Sequence, residues 1–346
     1  MTQDVVLQIP RIDDIPLPHL ISVADIEGQS PAGVADGDVL AQAPAKLNLF
    51  LHITGQRQDG YHELQTVFRF IELVDRLAFR VLAGNDVTLV SSFDAVPPQD
   101  NLIVRAARAL QSATGCTQGC HIVLEKVIPA GAGLGGGSSD AATTLVVLNH
   151  LWDTRLTLQQ LLSIGAGLGA DVPVFIAGVA CWAEGTGDVM QLIDLPQCHY
   201  VVVHPDIHVD TSAMFAAPEL TRNCSTITIR DFLNGDVQNV FEPVVFERYP
   251  LVAGVAATMQ AAVARMQSGN SKNLQSVDDQ GGDNGLGRVA MTGSGSTLFV
   301  DCADRQIAEN LLESLQAELA GQRLQAPVSL YTVTGVDRSP LYGNID

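Results

Sequence analysis

The sequence is short of positive charge. Its 346 residues carry 19 lysines and arginines against 38 aspartates and glutamates, a formal net charge of −19. Such a surface repels nucleic acid and anionic lipid, so neither is expected as a main partner. No apolar run approaches the roughly 20 residues that a membrane-spanning helix needs. Paired cysteines are missing too: Cys116, Cys120, Cys181, Cys198, Cys224 and Cys302 form no CxxC pair, and no histidine stands at finger spacing. They read as reduced, mostly core thiols of a cytoplasmic protein, not as a disulfide framework or a structural zinc site. There is no internal repeat. Apolar residues are plentiful instead. With 47% hydrophobic and 16% charged residues, the chain is well cored and long enough for two modest domains.

Residues 1–40 differ from the rest, with four prolines, seven acids and one arginine, Arg11. A signal or transit peptide would be basic or apolar there. The segment reads as a poorly ordered extension, or as an arm that packs on the body or a second subunit through Val5, Val6, Leu7, Ile9, Leu20 and Ile21. In Ala43–Ile53, Ala45, Leu47, Leu49, Leu51 and Ile53 alternate with Lys46, Asn48, Phe50 and His52. That period of two predicts a strand with one buried face and puts Lys46 and Asn48 on the same side. A second strand is expected over His121–Pro129, a helix over Ala141–Trp152 started by Ser138, Ser139 or Asp140, and a helix over Leu156–Ile164. Tyr200 onward reads as a strand, 267–288 as a mobile surface insertion, and Met291–Val300 as a glycine-bearing strand.

The most informative segment runs from Pro129 to Asp140, PAGAGLGGGSSD. Gly131, Gly133, Gly135, Gly136 and Gly137 fall within seven positions, between a predicted strand and a predicted helix. So many glycines lose much backbone entropy on folding and pack nothing. Such a loop suits a backbone that wraps closely around a ligand, with successive N–H groups turned inward and a helix dipole behind them. Backbone donors also explain how so acidic a chain could attract a polyphosphate. The loop is not a Walker A loop, because no GK[ST] follows, and no HRD or DFG accompanies it.

Three separated segments, PAKLNLFL at 44–51, PAGAGLGGGSSDAA at 129–142 and MTGSGSTLF at 291–299, resemble the three motifs of the GHMP kinases in that order. The similarity runs from about residue 41 to 343. It is strongest toward the branch acting on cytidine-diphosphate-linked methylerythritol, through DGYHELQTVF at 59–68 and GADVPVFIAGVACWAEGTGD at 169–188. The resemblance implies an α/β (α+β) fold of two domains. The first, 41–195, would be like domain 2 of a small-subunit ribosomal protein. The second, 196–346, would be ferredoxin-like, with the active site in the cleft between them. It also implies transfer of the γ-phosphoryl of ATP to the 2-hydroxyl of that substrate, in the non-mevalonate route to isoprenoids.

Phosphoryl transfer needs positioning, charge neutralisation and a base for the attacking hydroxyl. By the family match, Asp171 is the candidate base, with helix capping before Pro173 as the alternative. Lys46 is the partner that stabilises developing charge, and Asn48 is a substrate contact. The ATP site comprises Lys126, Pro129, Ala130, Gly131, Ala132, Gly133, Leu134, Gly135, Gly136, Gly137, Ser138 and Ser139, with Lys126 expected to meet phosphate. Tyr61 would stack on the pyrimidine and His62 bond its edge; Phe215 would offer the opposite face and Thr211 lie nearby. Magnesium is expected with ATP, with Ser139 a possible ligand by analogy. Glu184 and Asp188 are not assigned, and the metal site is otherwise open. The partners are the small-molecule substrate and ATP, and the protein is expected as a monomer or weak homodimer. Two rivals are a GHMP kinase acting on homoserine, mevalonate or a sugar, and a nucleotide-binding regulator that has lost catalysis. DGYHEL argues against the first, and the intact Lys46, Asp171 and glycine loop against the second.

Overall fold

A computed structural model describes residues 18–22, 33–35, 37–91, 96–235, 237–270, 285–322 and 325–343. Strand β1 (Ile21–Ser22) pairs antiparallel with β2 (Val39–Gln56), which pairs along most of its length with β3 (His62–Leu82). Strand β4 (Val87–Ser91) is joined through α1 (Leu102–Thr114) to β5 (Gly119–Glu125); β4 and β5 are parallel, and β5 extends the sheet along Arg76–Leu82 of β3. Asn101 starts α1 by accepting the Ile103 N–H at 2.9 Å, and Gly115 ends it at φ 71°. Helices α2 (Gly136–Leu151), α3 (Leu158–Leu168) and α4 (Val172–Ala177) follow, then the antiparallel pair β6 (Cys181–Glu184) and β7 (Val189–Leu192).

The second half runs β8 (His199–Pro205), α5 (Thr211–Phe215), α6 (Ile229–Leu233), α7 (Glu242–Arg248), α8 (Pro250–Asn270), β9 (Leu286–Met291), β10 (Leu298–Cys302), α9 (Arg305–Ala320) and β11 (Val328–Val336). The last strand ties the halves together. Val328–Thr334 pair with β8, while Gly335 and Val336 pair with Ile71 and Phe70 of β3. The path across the sheet is β1-β2-β3-β11-β8-β10-β9.

One core lies under α1 to α4 and includes Phe70, Phe79, Ile122, Leu145, Leu148 and Val172. A second, around α8 and α9, includes Val201, Val203, Phe241, Met259, Leu311 and Leu315. A smaller core of Ala45, Leu47, Ile71, Leu134, Tyr200, Val202 and Phe299 joins them. Strand β2 therefore departs from the expectation of one buried face. Lys46, Asn48 and His52 are only 2–6% exposed, because both faces are covered. A register shift between Pro44 and Ala45 changes which side each residue faces. Before it, Ala41 and Ala43 enter the first core; after it, Ala45 and Leu47 enter the joining core, which leaves Lys46 and Asn48 to the glycine-loop side.

Several sequence expectations need correction. Residues 1–17 and 23–32 of the expected extension lie outside the described residues. His19 donates its N–H to the Leu341 carbonyl at 2.6 Å, Leu20 packs against the first core, and Ile21 packs against Leu40, Ala78 and Val123, so this stretch does pack on the body. Of the expected insertion 267–288, residues 271–284 lie outside the described residues, while Gln267–Asn270 finish α8 and Leu286–Arg288 begin β9. The expected single strand Met291–Val300 is two strands, β9 and β10, separated by a turn over 292–297. Helix α3 starts later than Leu156 because Thr157 and Gln160 form a capping box. Among the described residues no helix is long and apolar enough to cross a membrane.

Candidate active site

The glycine loop is held by alternate residues. Ala132 and Leu134 are 1% and 0% exposed and sit in the joining core. Between them Gly131, Gly133 and Gly135 take φ of 67°, 77° and 73°, backbone that side chains avoid. Space forbids a side chain as well. A Cβ on Gly133 would strike the Thr292 carbonyl, and one on Gly135 would lie 2.7 Å from Phe175 and 3.1 Å from Cε of Lys46. Helix α2 begins at Gly136, not at Ala141, and its N-cap is Gly135 with no side-chain cap. Ser138, Ser139 and Asp140 are thus inside the helix. Its first N–H groups stay unclaimed by a capping side chain, which suits an anion.

The first and third motifs close around this loop. Lys46 N–H donates to the Leu134 carbonyl at 3.0 Å. Its Nζ donates to Asn48 Oδ1 at 2.5 Å and to the Gly133 carbonyl at 3.1 Å, and lies 3.3 Å from Asp171 Oδ2. Asn48 is fixed in turn by Thr66 Oγ1, which accepts from its amide at 3.0 Å, and by Thr292 Oγ1, which accepts from its backbone N–H at 2.9 Å. Thr297 N–H reaches the Ala132 carbonyl at 3.4 Å. Asp171 precedes α4 but makes no capping hydrogen bond, so the alternative reading as a cap fails. Its side chain is 37% exposed, while that of Lys46 is 3% exposed. The pair is buried on the lysine side and open on the carboxylate side.

Lys126, expected to meet phosphate, is paired with two acids. Its Nζ lies 2.5 Å from Asp75 Oδ2 and 2.9 Å from Asp140 Oδ2. Asp75 Oδ1 also accepts the N–H groups of Val127 and Ile128, at 2.6 and 2.9 Å. Burial pushes the Asp140 carboxyl up to about 7; Lys126 opposes that shift and Asp75 adds to it. Burial alone would lower Lys126, but Asp140 and Asp75 outweigh it and hold the ammonium above its ordinary value. Asp140 thus faces Lys126 inside this cluster. The Ser139 hydroxyl and Asp140 Oδ1 are buried with no hydrogen-bond partner among the described residues.

Away from the loop, Tyr61 is 65% exposed. His62 stacks on Phe215 with ring centres 5.0 Å apart and an interplanar angle of 25°, and Phe241 meets Phe215 edge-on at 4.9 Å. Phe215, expected across the base from Tyr61, thus has a face taken up by His62. Thr211 Oγ1 is 2.7 Å from Ser294 Oγ, which links this side to the third motif. Glu184 Oε1 accepts from Gln65 of β3 and Trp182 of β6, and Asp188 Oδ1 accepts from Thr186 in its own turn, so both acids already have protein partners. A cavity of about 720 Å³ lined by Arg69, Glu72, Asp337 and Arg338 touches none of these site residues.

Sequence reasoning missed Asp75, Thr66, Arg222 and Asn239. Asn239 donates to the Met291 and Gly293 carbonyls at 2.7 and 2.8 Å and so shapes the third motif. Asp75 lies between Glu72 and Arg76 in the segment FIELVDRLAF, so its charge did not set it apart. No local signal marks the others.

A clasped glycine loop, a lysine–aspartate pair against it and a serine-threonine turn on its far side define a small-molecule kinase of the GHMP class. A family model described as the GHMP kinases N terminal domain matches residues 101–179. The 4-diphosphocytidyl-2-C-methyl-D-erythritol kinase of Nitrosococcus oceani is 50% identical over 241 residues, covering 69% of this chain and 86% of that one. The kinase of the same name from Shewanella loihica is 43% identical over 301 residues, covering 86% and 94%. A crystal structure of 4-(cytidine 5'-diphospho)-2C-methyl-D-erythritol kinase superposes with a TM-score of 0.67 at 30% identity, over 86% of this chain and 100% of that one. A homoserine kinase from Cytophaga hutchinsonii, 16% identical with a TM-score of 0.61 over 91% and 98%, shares the fold. The chain belongs to the 4-diphosphocytidyl-2-C-methyl-D-erythritol kinase family of the GHMP kinases.

Proposed function

We propose that the protein transfers the γ-phosphoryl of ATP to the 2-hydroxyl of 4-diphosphocytidyl-2-C-methyl-D-erythritol, giving the 2-phosphate and ADP in the non-mevalonate route to isoprenoids. The observation that carries this reading is the Lys46–Asp171 pair, 3.3 Å apart and in contact with the Gly133 carbonyl of the loop. Loop and helix amides from Gly131 to Ser139 hold the triphosphate. Asp171, open to the cleft, accepts the proton of the attacking hydroxyl as the bond to phosphorus forms. Lys46, oriented by Asn48 and Gly133, stabilises the charge that develops on that oxygen. Lys126 supports the loop from behind instead of touching phosphate.

ATP chemistry calls for a magnesium ion, which would neutralise the β- and γ-phosphate oxygens. Among the described residues no group of three or more histidines, cysteines or acids could hold a metal. The orphaned Ser139 hydroxyl is a suitable single oxygen donor. This donor set fits an ion that arrives on the nucleotide and takes its remaining oxygens from phosphate and water, the habit of magnesium.

The test is an ADP-coupled assay with the cytidyl substrate, mevalonate and homoserine as separate acceptors. Turnover with the cytidyl substrate alone is expected. Turnover with either of the others in its place overturns the substrate, and ATP binding without turnover on any overturns the kinase reading in favour of a regulator.

A further inference from the structure

Arg222 makes four hydrogen bonds on the acceptor side. Its Nη2 donates to the carbonyls of Phe215 and Ala217, both at 2.7 Å, and Nη1 donates to the Leu220 carbonyl at 3.0 Å. Its Nε donates to Nε2 of His62 at 3.2 Å. A guanidinium has five N–H groups and no acceptor, and it stays charged. Once three backbone carbonyls fix its plane, its Nε–H can only point at a lone pair. Nε2 of His62 must therefore be the acceptor, and the ring proton must sit on Nδ1. The same contact excludes the imidazolium, which has no lone pair. Burial, with the Arg222 charge beside it, also lowers the His62 pKa, in the same sense. Nδ1 has no hydrogen-bond partner among the described residues. Phe215 holds the ring from one side.

We infer that Arg222 is a specificity-determining positioning residue: it locks His62 as the neutral Nδ1–H tautomer, which presents a donor to the N3 acceptor of cytosine and meets the N3–H of uracil donor to donor. This rests on the cytidyl substrate proposed above. An imidazole free to exchange tautomers could satisfy either base, since Nε2–H with an acceptor at Nδ1 would match uracil. A site built around one fixed donor rejects the base that lacks the acceptor, because two buried donors are left facing each other. The lock acts before substrate arrives and is therefore visible without turnover.

The experiment has two arms. In the first, the full-length protein carries ¹⁵N-labelled histidine, and long-range ¹H–¹⁵N spectra near pH 7.5 report the His62 tautomer, assigned with His62→Gln. The Nδ1–H form is expected in the wild type and in Arg222→Lys, which keeps a donor-only cation, and a mixture led by Nε2–H in Arg222→Met. In the second, kcat/KM is measured with the cytidyl substrate and its uridyl analogue. The wild-type preference for cytidine should fall at least about 10-fold in Arg222→Met, the worth of one such hydrogen bond. Nε2–H or imidazolium in the wild type overturns the inference without any variant, as does an unchanged preference in folded Arg222→Met. Wild-type failure to turn over the cytidyl substrate overturns the proposed function instead, so the two failures are distinguishable.

Discussion

Two lysines flank the glycine loop, and they are held in opposite ways. Lys46 meets one carboxylate, Asp171, whose side chain is 37% exposed. Lys126 meets two, Asp75 and Asp140, whose side chains are 0% and 4% exposed. The first pair is open to solvent on its carboxylate side, and the second is almost closed. The second cluster ties the two ends of the loop together: Asp75 accepts the N–H groups of Val127 and Ile128 ahead of it, and Lys126 joins Asp75 to Asp140 in α2 behind it. The same residue type beside one loop thus sits in an ion pair open on its carboxylate side in one place and in a closed cluster in the other. The difference lies in the exposure of the partner.

The largest effect that could break this contrast is on rate. Asp171→Asn should lower kcat by about 10²–10⁴-fold, the range for losing a general base, with nucleotide affinity by calorimetry nearly unchanged. Its unfolding midpoint should move less than that of a variant at Lys126, because the buried Lys46 ammonium keeps Asn48 Oδ1 and the Gly133 carbonyl as acceptors. Retention of more than about a tenth of wild-type kcat would remove Asp171 from the base role. The mirror prediction is on stability. Lys126→Met leaves two buried carboxylates uncompensated and should cost about 3–5 kcal/mol in urea unfolding. A variant of unchanged stability that bound ATP poorly would make Lys126 a phosphate contact after all.

A smaller effect sharpens the link between Lys46 and the loop. Gly133→Ala puts a Cβ against the Thr292 carbonyl at a φ of 77° and shifts the carbonyl that Lys46 holds. Strain of about 1–3 kcal/mol should appear as a raised KM for ATP together with a lowered kcat. A change in KM alone would separate the loop from Lys46. The smallest effect is on pH dependence. Burial raises the folded-state pKa of Asp140 to about 7, above its value in the unfolded chain. The folded state then binds more protons in that interval, so Asp140 makes stability fall as pH rises from about 4 to about 7. Asp140→Asn should flatten that slope in thermal melts across the interval, and an unaltered slope would mean that Asp140 does not hold the raised value.

The sequence showed the loop, Lys46 and Asn48 clearly because the signals are local. Glycines cluster where backbone must turn left-handed, and a period of two puts Lys46 and Asn48 side by side, as their 2.5 Å hydrogen bond bears out. Its errors were local as well. The start of α2 was set too late because Gly136 and Gly137 are poor helix residues by propensity, yet both lie in its first turn, where a Cβ on Gly136 would lie 2.8 Å from Lys126 Nζ and 3.0 Å from Ile128 Cγ2. The one-faced strand was wrong because alternation shows which residues differ, not how many layers cover them.

By itself the sequence determined where the loop lies: glycines stand between a strand and a helix where the backbone takes positive φ at Gly131, Gly133 and Gly135. It also determined which few polar residues lie in otherwise apolar segments. Only the tertiary structure decided what each does. Asp75 lies 51 residues from Lys126, and Arg222 lies 160 from His62. Pairing over such separations is set by how the sheet and loops fold back, and whether a charge is open or closed depends on what covers it. Exposure is a property of the packed molecule, and it is the exposure of their carboxylate partners that separates Lys46 from Lys126.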